Sequence, residues 1–230
     1  MALVHGAKEP LGVSSGLVLY LDAANARSYP RTGPTWFDRS GNGNNGTLEG
    51  GVGYSGSNFG SLTFDGTDDY VQKTSATANL SAGVTIEVIF KSTDMNSRAQ
   101  GIIQFNGTDN FIDFYAPGNG KLRWETFHPV GRGVQILSPA ALSNNTWYHA
   151  VGTYVSGVSV LYINGNSVIS GTDAGGTGNF SSSYTGNIII GQYAGYLSGN
   201  ISKVSIYNRA LTATEIAQNY NALKGRYGLS

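Results

Sequence analysis

The stretch that decides the fold is Val84-Thr85-Ile86-Glu87-Val88-Ile89-Phe90-Lys91. Val84, Ile86, Val88 and Phe90 alternate with Thr85, Glu87, Ile89 and Lys91. A period of two with a wholly apolar first face is the pattern of a β-strand that turns that face to a core. Similar segments lie on both sides of it. Upstream, Leu17, Leu19 and Leu21 alternate with Val18, Tyr20 and Asp22, and Leu62–Phe64 and Tyr70–Gln72 flank the acidic turn Asp65-Gly66-Thr67-Asp68-Asp69. Downstream, turn chemistry predicts two hairpins. Asn110–Tyr115 and Lys121–Phe127 flank Pro117-Gly118-Asn119-Gly120, and Val158–Ile163 and Val168–Ser170 flank Asn164-Gly165-Asn166. Asn-Gly accepts positive φ at both turn positions and so closes tight hairpins. Further strands are expected over Trp147–Tyr154, Asn187–Gly191 and Ile201–Tyr207, whereas residues 42–60 read as a Gly- and Asn-rich loop holding at most short strand pieces.

Only one helix is expected, over residues 213–224. Thr212 and Glu215 have the spacing of a capping box, Leu211 and Ile216 that of a hydrophobic staple, and Gly225 is placed to end it. Ile216, Tyr220 and Leu223 share one face. No alternation of helices and strands points to a parallel sheet. The fold class is therefore all-β: a two-sheet antiparallel sandwich with one short C-terminal α-helix. The first sixteen residues carry neither period and read as an extended arm, either frayed or ordered against a neighbouring subunit. Residues 17–230 form the domain.

Composition narrows the function classes. The chain has 230 residues, 14 Lys and Arg against 14 Asp and Glu, and no Cys. Without a basic stripe there is no footprint for a nucleic-acid backbone. Without thiols, and with His5, His128 and His149 scattered, a zinc site is not expected. Only 12 % of residues are charged, so Ser, Thr, Asn and Gly must supply the polar surface; the 33 glycines suit many tight turns. No run is long enough to span a membrane, and Met1–Pro10 lacks the apolar stretch of a signal peptide.

Several ordered segments carry a resemblance. They are Phe64-Asp65-Gly66 with Asp69-Tyr70-Val71, Trp147-Tyr148-His149-Ala150-Val151, Leu161-Tyr162-Ile163-Asn164-Gly165, Ile190-Gly191, Leu197-Ser198-Gly199-Asn200-Ile201, and Tyr207-Asn208-Arg209-Ala210-Leu211-Thr212 with Glu215-Ile216. In this order, over residues 17–224, the chain resembles the laminin-G-like, concanavalin-A-like lectin-glucanase jelly-roll family. The resemblance implies two curved antiparallel sheets, ligands met at the loop rim or on the concave face, a calcium ion at the rim, and a structural role for His149; Trp147 itself is expected in the core. Tyr20-Leu21-Asp22-Ala23-Ala24-Asn25 and Asp38-Arg39-Ser40-Gly41-Asn42-Gly43 look like the version found in phage virion proteins. That subtype implies a non-catalytic virion module, docked as a homo-oligomer on a capsid or tail protein and contacting host glycans. The alternative is a lectin-like module of a bacterial surface protein, and the third reading is a glycoside hydrolase or lyase.

The candidate residues follow from these readings. Asp65, Asp68 and Asp69 offer hard oxygen ligands for calcium, or else Asp65 and Asp68 bond nearby N–H groups as Asx-turns. Sugar sites stack an aromatic face on a ring and surround it with polar groups. Trp36, Tyr54, Tyr115, Phe127, Tyr193 and Tyr196 are the loop or strand-end aromatics, each open to core or loop packing instead. On the second strand of the first hairpin, Leu122, Trp124, Thr126 and His128 share one face, with Trp124 expected in the core. Lys121, Arg123, Glu125 and Phe127 share the other, which makes Arg123 and Glu125 surface candidates. The five glutamates are Glu9, Glu49, Glu87, Glu125 and Glu215, and no strand carries a closely spaced acidic set. No catalytic residue is expected.

Overall fold

The computed structural model describes residues 12–107, 111–128, 132–173 and 180–229. The first strands are β1 (Leu17–Asp22), β2 (Thr35–Trp36), β3 (Gly46–Glu49), β4 (Gly53–Ser55), β5 (Ser61–Asp65) and β6 (Tyr70–Ala78). They are followed by β7 (Val84–Ser92), β8 (Gln100–Gly107), β9 (Phe111–Ala116), β10 (Arg123–His128) and β11 (Arg132–Leu137). The last are β12 (Tyr148–Val155), β13 (Val158–Ile163), β14 (Asn166–Thr172), β15 (Tyr184–Ile190) and β16 (Ser198–Tyr207), then the helix α1 (Ala213–Tyr227).

These strands make two antiparallel sheets. The first runs β14-β13-β12-β7-β16-β5-β4, with β1 added beside the C-terminal half of β16. The second runs β11-β10-β9-β8-β15-β6-β3-β2. Large apolar side chains fill the space between them, among them Leu19, Phe90, Phe105, Phe114 and Trp124, all fully buried. Trp124 lies where the sequence placed it, in the core, so close to Gly152 of the opposite sheet that a Cβ there would collide with the indole. Both predicted hairpins form. Asn164 and Gly165 close β13–β14 with φ of 50° and 78°, the two positive values of a tight turn.

Several readings need correction. Residues 42–60 hold β3 and β4, the short strand pieces that the reading allowed, but three strands, β2, β8 and β11, were not read from the sequence at all. The helix does not stop at Gly225. It runs on to Tyr227 and ends at Gly228, whose φ of 62° lets its N–H reach the Lys224 carbonyl. Trp147 is half-buried rather than core; it packs on Tyr227 of α1 with ring centroids 5.2 Å apart. Of the segment read as an arm, residues 1–11 lie outside the described residues. Residues 12–16 are tied to their own domain: Val13 N donates to Asn219 Oδ1 (2.8 Å), Tyr207 Oη to Val13 O (3.1 Å) and Asn208 N to Gly16 O (2.8 Å).

The capping box forms as read. Glu215 N donates to Thr212 Oγ1 and Thr212 N to Glu215 Oε2, while Leu211 and Ile216 share one small buried cluster. The helix lies on the outer face of the first sheet and buries Ile216, Asn219, Leu223 and Tyr227. Among the described residues, no helix covers the second sheet's outer face.

Candidate functional site

The outer face of the second sheet gathers most of the sequence-predicted ligand residues. Along β9, Ile112, Phe114 and Ala116 point to the core, so Phe111, Asp113 and Tyr115 point outward. The register places Phe127 of β10 opposite Phe111, Glu125 opposite Asp113 and Arg123 opposite Tyr115. Directly opposed residues share a face, and four half-buried rings and three ionisable side chains, Asp113, Arg123 and Glu125, meet there. Phe111 and Phe127 stack at 5.2 Å with an 8° interplanar angle. The Arg123 guanidinium lies 4.4 Å from the Tyr115 ring centroid and pairs with Glu125 at 2.8 Å. Tyr193, from the β15–β16 connection, reaches over the same strip, 6.3 Å from Phe111 and 5.5 Å from Tyr115.

The backbone fixes how Tyr193 gets there. Gly101 of β8 donates to Gly195 O at 3.0 Å, and a Cβ on Gly101 would collide with the backbone nitrogen of Tyr193. A side chain at 101 would therefore lift the loop from the sheet. Tyr196 lies in the same loop, half-buried, with its backbone bridged to Gln192. Among the described residues, no ring contact joins Tyr196 to the cluster.

Asp113 is the member that the sequence reading missed. Its signal was present, since it is the acidic residue on the outward face between Phe111 and Tyr115. It is completely buried, with neither carboxylate oxygen hydrogen-bonded among the described residues; the Arg123 Nε is likewise buried without a partner. Burial and then the neighbouring Glu125 push its carboxyl up to about 8, against the lowering pull of Arg123. Asp113 and Glu125 thus form across two strands the acidic pair that no single strand shows. In this conformation Asp113 has no exposed surface and Glu125 is engaged by Arg123.

The other aromatics named from the sequence belong to packing. Trp36 is fully buried in the core, and Tyr54 leans on Tyr29 at 5.7 Å.

The acidic turn after β5 brings its three residues together. One ligand atom from each of Asp65, Asp68 and Asp69 lies within 4.8 Å of the others. Two carboxylate oxygens of the turn also serve its backbone, because Asp69 Oδ2 accepts from Asp65 N (2.8 Å) and Asp65 Oδ1 from Thr67 N (2.7 Å). Burial, followed by the charges of Asp65 and Asp68, raises the Asp69 carboxyl despite its bond to Asp65 N. The donor set fits a hard divalent cation, which would relieve that repulsion.

On the opposite side of the molecule, Glu87 is buried under α1. It meets His149 Nε2 at 2.7 Å and Lys203 Nζ at 3.4 Å, and Asn219 Nδ2 at 3.3 Å. A cavity of about 220 Å³ lies beside this network, walled by residues such as Val13, Leu17, Tyr20, Lys203 and Leu223. It is smaller than the usual ligand pocket of roughly 300–1,000 Å³. The motif Asp38–Asn44 also has a structural task. Asp38 accepts from the N–H groups of Tyr20, Ser40 and Asn44, and Asn44 donates to Val18 O, bracing β1.

Two packed antiparallel sheets, closed by one helix and carrying an aromatic strip on a sheet face, define a jelly-roll sandwich of the lectin type. Residues 65–217 match the family described as the concanavalin A-like lectin/glucanases superfamily, and the chain belongs to it. No curated protein matches the sequence. Solved structures share the fold at low identity. The binding domain of Paraclostridial Mosquitocidal Protein 1 is 17 % identical with a TM-score of 0.71, over 90 % of this chain and 52 % of that one. The botulinum neurotoxin serotype D binding domain is 16 % identical with a TM-score of 0.71, over 91 % and 52 %. Domain 4 of a GH43 extracellular arabinanase from Geobacillus stearothermophilus, solved in complex with arabinotriose, is 15 % identical with a TM-score of 0.66, over 90 % and 98 %. The chain thus spans about half of the toxin binding domains and nearly all of the arabinanase domain.

Proposed function

We propose that the chain is a non-catalytic glycan-binding module whose ligand lies on the outer face of the second sheet. The observation that carries this reading is the grouping of Phe111, Tyr115, Phe127 and Tyr193 around the Arg123–Glu125 pair. Rings of this kind stack on the apolar face of a sugar, and a guanidinium beside a carboxylate supplies donors and acceptors for its hydroxyls. The arabinotriose complex of the arabinanase domain supports the same class of ligand. The absence of catalysis is supported by the Arg123–Glu125 pair at 2.8 Å, which engages one of the two carboxylates on the strip, and by the binding domains among the similar solved structures. A glycan array followed by calorimetry tests the reading. Phe127→Ala and Tyr115→Ala should each weaken binding about tenfold, which is about 1.4 kcal/mol. An array without hits, or variants that bind like the parent, would overturn it.

We propose further that this module works on a virion, as a homo-oligomer docked on a capsid or tail protein. The support is the likeness of Tyr20–Asn25 and Asp38–Gly43 to phage virion proteins. Detection of the chain in purified particles by mass spectrometry tests it, and its absence from them would favour the bacterial-surface setting. Calcium enters the proposal at Asp65, Asp68 and Asp69. A millimolar calcium titration should raise the melting temperature and Asp68→Asn should remove the effect; an unmoved midpoint rules the site out.

A further inference from the structure

Among the described residues, Trp36, Thr126, His149 and Ser205 also bury a polar atom without a partner, but only Asp113 and Arg123 do so on the outer face of the second sheet. A buried polar atom without a partner is rare in folded proteins and calls for a reason. Here two of complementary kind occur on one sheet face, an acid with both oxygens unpaired and a guanidinium Nε–H with no acceptor. No backbone group of the strands needs them, because the register of β8, β9 and β10 is filled by main-chain pairing. Tyr193, a side chain from a loop, lies against Phe111 and Tyr115 on either side of Asp113, and buried Gln104 of β8 stands directly opposite Asp113.

We propose that Asp113 is the specificity-determining residue of this site: a ligand hydroxyl displaces the Tyr193 ring and bonds both the Asp113 carboxyl and the Arg123 Nε–H. The inference rests on the glycan-binding reading and deepens it by naming the ligand as an uncharged sugar. A hydroxyl is at once donor and acceptor, which suits the two unpaired groups together. The charges facing Asp113 are those of Glu125 and Arg123, which are paired to each other, and its other titratable neighbours are the phenols of Tyr115 and Tyr193. With Asp113 protonated the strip carries no net charge, so it favours neither a cationic nor an anionic glycan. The price of a dry, unpaired carboxyl is accepted in the free protein and relieved in the complex. Above about pH 8, where Asp113 ionises, a second negative charge beside Glu125 disturbs the site and affinity falls.

The test uses arabinotriose as the neutral probe, with trigalacturonic acid and chitosan trimer as acidic and basic controls, titrated against the full chain between pH 6 and pH 9. Arabinotriose should bind best and lose affinity above pH 8. Asp113→Asn keeps a neutral donor–acceptor group, so it should bind within about threefold of the parent and lose the pH dependence. Asp113→Leu should bind at least tenfold more weakly. Infrared difference spectra of the unmutated protein give a second readout, because the carbonyl stretch of a protonated carboxyl should shift on binding and the shift should vanish in Asp113→Asn. If Asp113→Leu binds normally and the spectra show no carboxyl shift, Asp113 is structural and the glycan reading stands without it. If none of the three trimers binds the parent protein, both proposals fall.

Discussion

At the scale of single residues, Asp113 makes the sharpest statement about stability. Its carboxyl sits at about 8 in the fold against an ordinary 3.8. The folded state therefore holds a proton that the unfolded chain has released at neutral pH. The linkage follows directly: stability is full below about pH 4, falls as pH rises through the interval to about 8, and is level above it. At 1.36 kcal/mol per unit, the loss by pH 7 is on the order of 4 kcal/mol. Asp113→Asn should thus raise the denaturant midpoint at pH 7 and flatten its pH profile between 4 and 8; equal slopes in the two proteins would contradict the assignment. Gly152 supports a second prediction. It faces the Trp124 indole across the core with no room for a methyl group. Gly152→Ala should destabilise the domain by about 1–3 kcal/mol, the range for overpacking, measured as a fall in melting temperature.

At the scale of elements, α1 was legible because its end signals are local. Thr212, Glu215, Leu211 and Ile216 act within one turn, so sequence spacing alone gives their geometry. Arg209 adds what spacing did not show, meeting both Glu215 oxygens at 2.9 and 2.7 Å. That pair, with the bonds from Thr212, holds the Glu215 carboxyl down to about 2. Removing the cap with Thr212→Ala should lower unfolding free energy by about 1 kcal/mol, with most of it restored by Thr212→Ser. The C-terminus was misread because Gly225 and Gly228 are equally good stop signals in a sequence. Helix packing through Tyr227, whose hydroxyl reaches Ser202 at 2.6 Å, selects the second. The strands β8 and β11 escaped notice for a similar reason. Gln100-Gly101 and Arg132-Gly133 open them with weak strand formers, and pairing with neighbours from elsewhere in the chain supplies what local propensity lacks.

At the scale of the whole molecule, the helix turns a half-exposed sheet into a buried one. Glu87 and Ile89 alternate away from the core yet are completely buried, since α1 and residues 12–16 cover that face. Burial by itself would raise the Glu87 carboxyl. Lys203 and then His149 outweigh it, so Glu87 is held at about 2. A depressed carboxyl stabilises the fold above its ordinary value near 4.5 and loses that contribution as pH falls through 2. Glu87→Gln leaves Lys203 buried without its counter-charge and should cost about 3–5 kcal/mol in denaturant unfolding at pH 7. A loss below 1 kcal/mol would show that water reaches the network.

The sequence by itself determined the strand period at Val84–Phe90, the two hairpin turns, the capped start of α1 and the family. The first three rest on neighbours a few residues apart, and the family on the order of short motifs along the chain. It also picked out Arg123, Glu125 and Phe127 from the alternation of a strand, and Tyr115 and Tyr193 as aromatics at a strand end and in a loop. Only the tertiary structure decided that these five form one strip with Phe111, and that Asp113 lies buried at its centre facing Glu125. Cross-strand register joins residues distant in the chain, and it is set by the packing of both sheets at once, so no local pattern records which residues will meet.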